Sequence, residues 1–243
     1  MFRYIRQIVG ISYLQMVWIK RQPTWIMQGL ISAIGFTMLL YVWGSLDALR
    51  NLVIAYIITG AWGIGLNIVA QTIGWDRINH DIEFYVASPV TLSVYFLGTV
   101  VGSSPFLVSS IIPSIVVALI FRMSLFPIIV LLPLSFIALL LGAFLSLSII
   151  LRIEKRTNIS AITNPLYTLT ITLPPIYYPL YVLPYPLRWI ALIIPSVPIM
   201  ELARWMTGYA SIGCNPMYSI ISVVVWLIAT LYIVAKKFKW GLK

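Results

Sequence analysis

"FPIIVLLPLSFIALLLGAFLSLSIIL", residues 126–151, contains no charged side chain. A helix rising about 1.5 Å per residue needs about 20 apolar residues to cross roughly 30 Å of hydrocarbon. This stretch is longer than that, so it reads as a membrane-spanning helix with room for tilt. It lacks the alternation of polar and apolar residues that a membrane β-barrel strand requires. The rest of the chain shares its character. The 243 residues are 61% hydrophobic and 9% charged, with a mean hydropathy of +1.00; a soluble domain is about one quarter charged. The fold class expected is an all-α polytopic membrane protein, with residues 1–243 forming one transmembrane domain.

Outward from this run, apolar segments predict five further spans, at residues 24–43, 52–73, 92–121, 159–174 and 217–235, making six. Pro105, Pro113 and Pro133 are expected kink sites. Residues 1–22 are partly amphipathic. Ile5, Ile8, Val9, Ser12 and Met16 share a helical stripe, with Arg3, Arg6 and Gln7 away from it. That pattern suits an N-terminal interfacial helix with snorkelling basic ends, or simply a basic flank of the first span. Residues 1–21 lack the continuous apolar core of a cleavable signal peptide. Cys214 is the sole cysteine, so no intrachain disulfide is expected.

Six spans divide the Lys and Arg residues unequally. One side holds Arg3, Arg6, Lys20, Arg21, Arg77, Arg152, Lys155, Arg156, Lys236, Lys237, Lys239 and Lys243; the other holds Arg50, Arg122, Arg188 and Arg204. The richer side is expected to be cytoplasmic, which puts both termini inside a multi-pass cell-membrane protein. The formal net charge of +10 then faces anionic lipid headgroups, and membrane lipids rather than nucleic acid are the expected polyanion partner.

The chain has six acidic residues, and Asp76, Asp81 and Glu83 fall together beside its only histidine, His80. Trp75, Ile78, Ile82 and Tyr85 or Val86 recur at helical spacing. Asp76, Asn79, His80 and Glu83 fall opposite, with Asp81 beside them. Pro89 ends the pattern and pushes Ser88 extended. The expectation is a short amphipathic helix at 74–90 with its acidic face in the cytoplasm. One histidine with carboxylates, lacking a second histidine or cysteine, is a poor metal or acid–base site. A docking surface needs only an exposed, charged knob; a solvated loop helix would look the same.

Two stretches resemble the permease subunits of ABC-2 type transporters. In "IEFYVASPVTLSVYFLG", residues 82–98, Glu83, Ala87, Ser88, Pro89, Tyr95 and Gly98 match the family pattern. In "YYPLYVLPYPLRWIALIIPSVPIMELAR", residues 177–204, so do Pro179, Leu183, Pro184, Arg188, Pro195, Glu201 and Arg204. Ile194 stands where the family has Asn, and His80 where Gly is common. The resemblance implies that 74–90 is a coupling helix, docking a separate cytoplasmic ABC ATPase subunit through Asp76, His80, Asp81, Glu83, Ser88 and Pro89. It also implies a working unit of two permeases, as a homodimer or paired with a similar permease, and two ATPases. No G-x-x-x-x-G-K-[ST] occurs, and no loop is long enough to fold a nucleotide-binding domain. The permease is therefore expected to be no enzyme and to hold no cofactor, with ATP and Mg on the partner. The expected cargo is a hydrophobic or amphiphilic drug or lipid. A permease for a lipid-linked polysaccharide, or an anchor or assembly subunit that transports nothing, are the alternatives.

Between the fifth and sixth spans, residues 175–215 are too proline-rich for one helix and too aromatic for open solvent. They read as short helices re-entering the outer leaflet, where irregular backbone needs protein or water cover. The resemblance makes this segment an outer gate, with Tyr178, Pro179, Pro184, Arg188, Glu201 and Arg204 as its residues; a passive cap is the alternative. Glu201 and Arg204 are spaced to pair at i, i+3. Asn164, Thr168 and Thr172 recur one turn apart on the fifth span and could line a pathway or glue helices together. No charged residue sits securely mid-span, which disfavours proton or ion coupling. No nucleophile–base pair or carboxylate pair suggests an intramembrane enzyme.

Overall fold

The computed structural model describes residues 2–21, 24–238 and 240, without the side chains of Trp18, Ile19, Lys20, Trp25, Ile26 and Gln28. Met1 and Gln22 of the expected interfacial segment, and Lys239 and Lys243 of the basic set, lie outside the described residues. Twelve α-helices are present among the described residues, with no strand: α1 (Phe2–Arg21), α2 (Thr24–Trp43), α3 (Leu46–Gly63), α4 (Ala70–Ile78), α5 (Asp81–Ala87), α6 (Leu92–Ser103), α7 (Val108–Ile120), α8 (Phe126–Ile150), α9 (Arg156–Ile171), α10 (Tyr185–Ile193), α11 (Ser196–Thr207) and α12 (Pro216–Lys237).

Four helical rods are long and apolar enough to cross a membrane. Leu46–Ile78 joins α3 to α4 through a π-helical segment, Ile64–Val69; Leu92–Ile120 joins α6 to α7 through a 3-10 turn, Ser104–Leu107; α8 and α12 complete the set. The pair α10–α11, bent by 104° at its break, would make a fifth if counted as one span. The chain is therefore a membrane-embedded helical protein. The other two segments expected to span fall short of that standard. The described apolar part of α2 is Gly29–Trp43, and α9 is 16 residues long with Thr157, Asn158, Asn164 and Thr168 in it.

Small residues set the packing. A methyl group at Gly65 would overlap the Leu139 carbonyl, and one at Gly142 would meet the Trp62 carbonyl, so the first rod and α8 cross in backbone contact. The π-turn lies at this crossing, where an extra residue per turn shifts the helix register. Further along, Gly74 meets Ile150, so these two rods run parallel. The α6–α7 rod runs the opposite way, with Gly60 against Ser110 and the Ser114 hydroxyl 3.2 Å from the Val53 carbonyl it donates to. The α1 helix lies along α6. Gln7 donates to the Pro89 carbonyl (2.9 Å) and Ser12 to the Gly98 carbonyl (3.0 Å), while Gly102 receives Ser12 and Gln15. Its other side leaves Phe2, Ile5, Val9 and Tyr13 exposed.

These contacts define two ends. One end gathers α5, the 151–155 turn, and the close of α12, where Lys237 donates to the Ser148 carbonyl (2.9 Å). The other gathers the 121–125 turn, the start of α3 and the 208–215 segment, where the Tyr209 hydroxyl donates to the Ser124 carbonyl. Between them α9 climbs against the first rod: Gln71 donates to Thr163 (2.6 Å) and Trp62 to Thr170 (3.0 Å). The α10–α11 pair enters and leaves at the second end. Trp189 stacks edge-on against Tyr218 near the start of α12. Two turns deeper, Trp226 donates to the Ile193 carbonyl. Ser196 bonds the Thr170 carbonyl, and the chain then returns through α11.

Candidate functional site

At the α5 end the expected single helix over 74–90 is two helices. The rod continues to Ile78, and the chain then turns at Asn79 and His80, whose φ of 65° is left-handed. A non-glycine residue there carries steric strain. The break redirects α5 away from the rod axis. The apolar face is as the spacing predicts: Ile82 is buried, with Trp75, Ile78, Tyr85 and Val86 packed against the core. The acidic residues do not share one exposed face, however. Asp76 is half-buried and accepts a 2.6 Å hydrogen bond from the Tyr95 hydroxyl, tying α4 to α6. Asp76 is thus a bracing residue rather than an exposed docking residue. Ser88 is half-buried and donates to the Tyr85 carbonyl (2.7 Å), closing the end of α5. What remains exposed is a knob of Asn79, His80, Phe84, Ala87 and Pro89, edged by half-buried Asp81 and Glu83. His80 Nδ1 and Glu83 Oε1 are 2.7 Å apart. Phe84, at 78% exposure, is its most prominent apolar group, and helical spacing alone placed no weight on it. No group of three metal-ligating side chains occurs among the described residues.

Basic side chains surround this end. Arg77 donates to the Leu151 carbonyl (2.6 Å) and to that of Ile153, fastening the 151–155 turn to α4. Arg156 lies over the Trp75 ring at 4.8 Å.

At the opposite end, Glu201 and Arg204 pair as their spacing predicts, but in full burial rather than at a surface. Arg204 is 0% exposed. Its Nε donates to Asn51 Oδ1 (2.9 Å), and Nη2 donates to the carbonyls of Pro175, Ile176 and Tyr178 at 2.9–3.1 Å. Glu201 accepts a 2.6 Å hydrogen bond from the Gly213 amide, and Asn51 also donates to the Ile176 carbonyl (3.2 Å). One guanidinium therefore clips α11, α3 and the 175–178 turn together, with its charge matched and its donors used. Asn51 is 153 positions away in sequence and carried no signal of this role. Tyr178 contributes its carbonyl. Pro179 and Pro184 start the turn Leu180–Val182 and α10. Arg188 stays local, donating to the Leu183 (2.8 Å) and Tyr181 (2.6 Å) carbonyls, and is not part of the clip.

Between the ends, a cleft of about 420 Å³ opens among α2, the first rod, α7 and α9. Ser32, Thr59, Asn67, Ser109, Tyr167 and Thr172 line it with polar groups. Asn67 belongs to the π-helical segment, which no hydropathy pattern foretold. Asn164 and Thr168 do not line this cleft. They lie exposed on the outer face of α9, and Thr168 donates back to the Asn164 carbonyl (3.2 Å). Of the predicted pathway stripe, only Thr172 reaches the cleft. No protein-family model matches the chain, and no curated protein matches it.

Proposed function

We propose that the chain is the membrane-spanning permease half of an ABC-2 type exporter, which moves a hydrophobic or amphiphilic molecule, drug or lipid, outward. In this reading α2 and α9 are the first and fifth of six spans. The α5 end, both termini and most of the positive charge face the cytoplasm, and α10–α11 re-enters from outside. A separate ABC ATPase hydrolyses ATP and docks on α5. Two permeases pair, and the exposed polar face of α9, with Asn164 and Thr168, turns toward the partner copy and an aqueous path rather than toward lipid.

The observation that carries the reading is the backbone at His80. The family segment that residues 82–98 resemble has Gly common at this position, and His80 adopts φ 65°, the region Gly occupies without penalty. A turn built for Gly is what lets α5 stand off the rod as a separate knob. Two further features support the same reading. The knob is braced to its neighbours through the Tyr85 ring, 4.9 Å from that of Tyr95 on α6, and through buried Ile82, while Tyr95–Asp76 ties α6 to α4, so a push on α5 is a push on both rods. The α10–α11 pair opens on the opposite end, where an exit would be.

The test is co-expression with the ATPase subunit. Glu83→Lys reverses charge on the knob, and co-purification of the ATPase is expected to fall by about tenfold as a charged contact is lost. Membrane insertion is expected to stay normal. An ATPase that remains bound, with transport unchanged, would falsify the docking assignment.

A further inference from the structure

Four arginines lie toward the end of the bundle opposite α5, and two have their work accounted for. Arg204 is the buried clip, and Arg188 holds the carbonyls of its own turn. The other two, Arg50 and Arg122, meet in one pocket of about 360 Å³, completed by Met123, Ser124, Gly208 and Tyr209. The three segments that form it are distant in sequence. The Tyr209 hydroxyl bonds the Ser124 carbonyl and closes one wall. Asp47 engages Arg50 at 3.0 Å, whereas Arg122 has no ion pair among the described residues.

The backbone at Arg122 is a second, independent observation. Arg122 N–H bonds the Leu119 carbonyl (3.2 Å) and Met123 N–H the Ala118 carbonyl (2.7 Å), which is a Schellman end to α7. The residue in the left-handed position of that motif is usually glycine; here it is an arginine at φ 51°. The carbonyl end of α7 favours a nearby cation, but a cation one residue along would serve without the steric penalty. The left-handed turn points to a guanidinium held where the pocket needs it.

We infer that this pocket binds a phosphate group carried by a membrane phospholipid. Paired guanidinium groups present forked donors that match phosphate oxygens. Phe126 (68% exposed) opens α8 four residues after Arg122, and Trp43 (82% exposed) ends α2 just before α3, which carries Arg50, so exposed apolar side chains flank both arginine-bearing segments in the chain. The inference needs only that the chain is membrane-embedded; it stands or falls apart from the exporter reading.

The full chain in neutral detergent is titrated calorimetrically with two probes, dihexanoyl phosphatidic acid below its micelle concentration and inorganic phosphate. The lipid is expected to bind saturably, and Arg122→Gly and Arg50→Gln are each expected to weaken it by about tenfold or more. Arg152→Gln, at the other end, should leave binding unchanged. Because glycine fits the turn, Arg122→Gly should melt no lower than the parent, so lost binding is not lost fold. Absence of saturable binding, or binding that survives both pocket substitutions, overturns the site. Inorganic phosphate binding as tightly as the lipid overturns the headgroup and assigns a free phosphate instead.

Discussion

At each end of the bundle an arginine holds the carbonyls of a turn, and the two do so differently. Arg204 reaches three carbonyls, Asn51 and Glu201 in full burial, with its charge neutralised three residues away. Arg77 reaches two carbonyls while half-buried, and no carboxylate pairs with it among the described residues. The first is a closed network whose loss strands a charge in the interior; the second is a partly wet fastening whose loss water can repair. The difference suits a chain that keeps its α10–α11 framework fixed and leaves its α5 end addressable. The same contrast separates two carboxylate contacts, Glu201–Arg204 in full burial and Glu83–His80 open to solvent.

The contrast ranks the effects of substitution. Arg204→Gln leaves Glu201 buried without its cation and should cost about 3–5 kcal/mol, read as a large fall in melting temperature in detergent. Glu201→Gln with Arg204→Gln should cost less than Arg204→Gln alone, because the stranded charge is gone. A single-variant loss no larger than the about 0.2–0.5 kcal/mol of a surface pair at i, i+3 would sink the buried clip. Arg77→Gln comes next, at about 2 kcal/mol for charge-assisted bonds to carbonyls; if it equals Arg204→Gln, the two ends are not different in kind. Tyr95→Phe removes the Asp76 hydrogen bond and should cost about 1 kcal/mol, by the same melting assay. His80→Gly relieves the left-handed turn and should stabilise by about 1 kcal/mol or less; destabilisation would mean that the His80–Glu83 contact outweighs the strain.

A chemical probe sharpens the comparison without altering stability. Burial pushes the Cys214 thiol above its ordinary range, with its Sγ 3.3 Å from the Ser219 hydroxyl. The thiolate is the reactive form, so a membrane-impermeant maleimide should label Cys214 slowly near neutral pH and faster as pH rises. In a Cys214→Ser background, His80→Cys sits on an exposed turn and should label readily once the membrane is opened. Labelling of both from the same side of sealed cells would refute the opposed ends.

Hydropathy made the rods legible. The runs at 52–73 and 217–235 lie within long apolar helices, and those at 92–121 and 126–151 match the other two to within one residue, because a helix that crosses hydrocarbon must be apolar almost throughout. Proline density likewise foretold the break between α10 and α11. Less legible was whatever depends on distant partners or on backbone detail. The polar face over 74–90 continues in phase through His80, so periodicity could not show that the helix stops at Ile78 and restarts at Asp81. Asp76 reads as exposed on a helical projection; only the return of α6 brings Tyr95 onto it. Asn51 and Arg204 meet across 153 residues, and the π-turn that carries Asn67 leaves no compositional mark. The Gly98-x-x-x-Gly102 pair seats α1, and spacing alone does not say which helix a small-residue pair receives.

The central claim is that α5 is the surface through which an ATPase drives this chain, and Phe84 is the residue best placed to test it. A photoreactive amino acid at position 84, and another at the exposed position 189 of α10 as its counterpart, should be introduced into the full chain co-expressed with the ATPase subunit. The account predicts a crosslink from position 84 to the P-loop subunit, changing in yield when ATP is added, and none from position 189. A transport-competent complex that crosslinks its ATPase from position 189, or never from position 84, would contradict it.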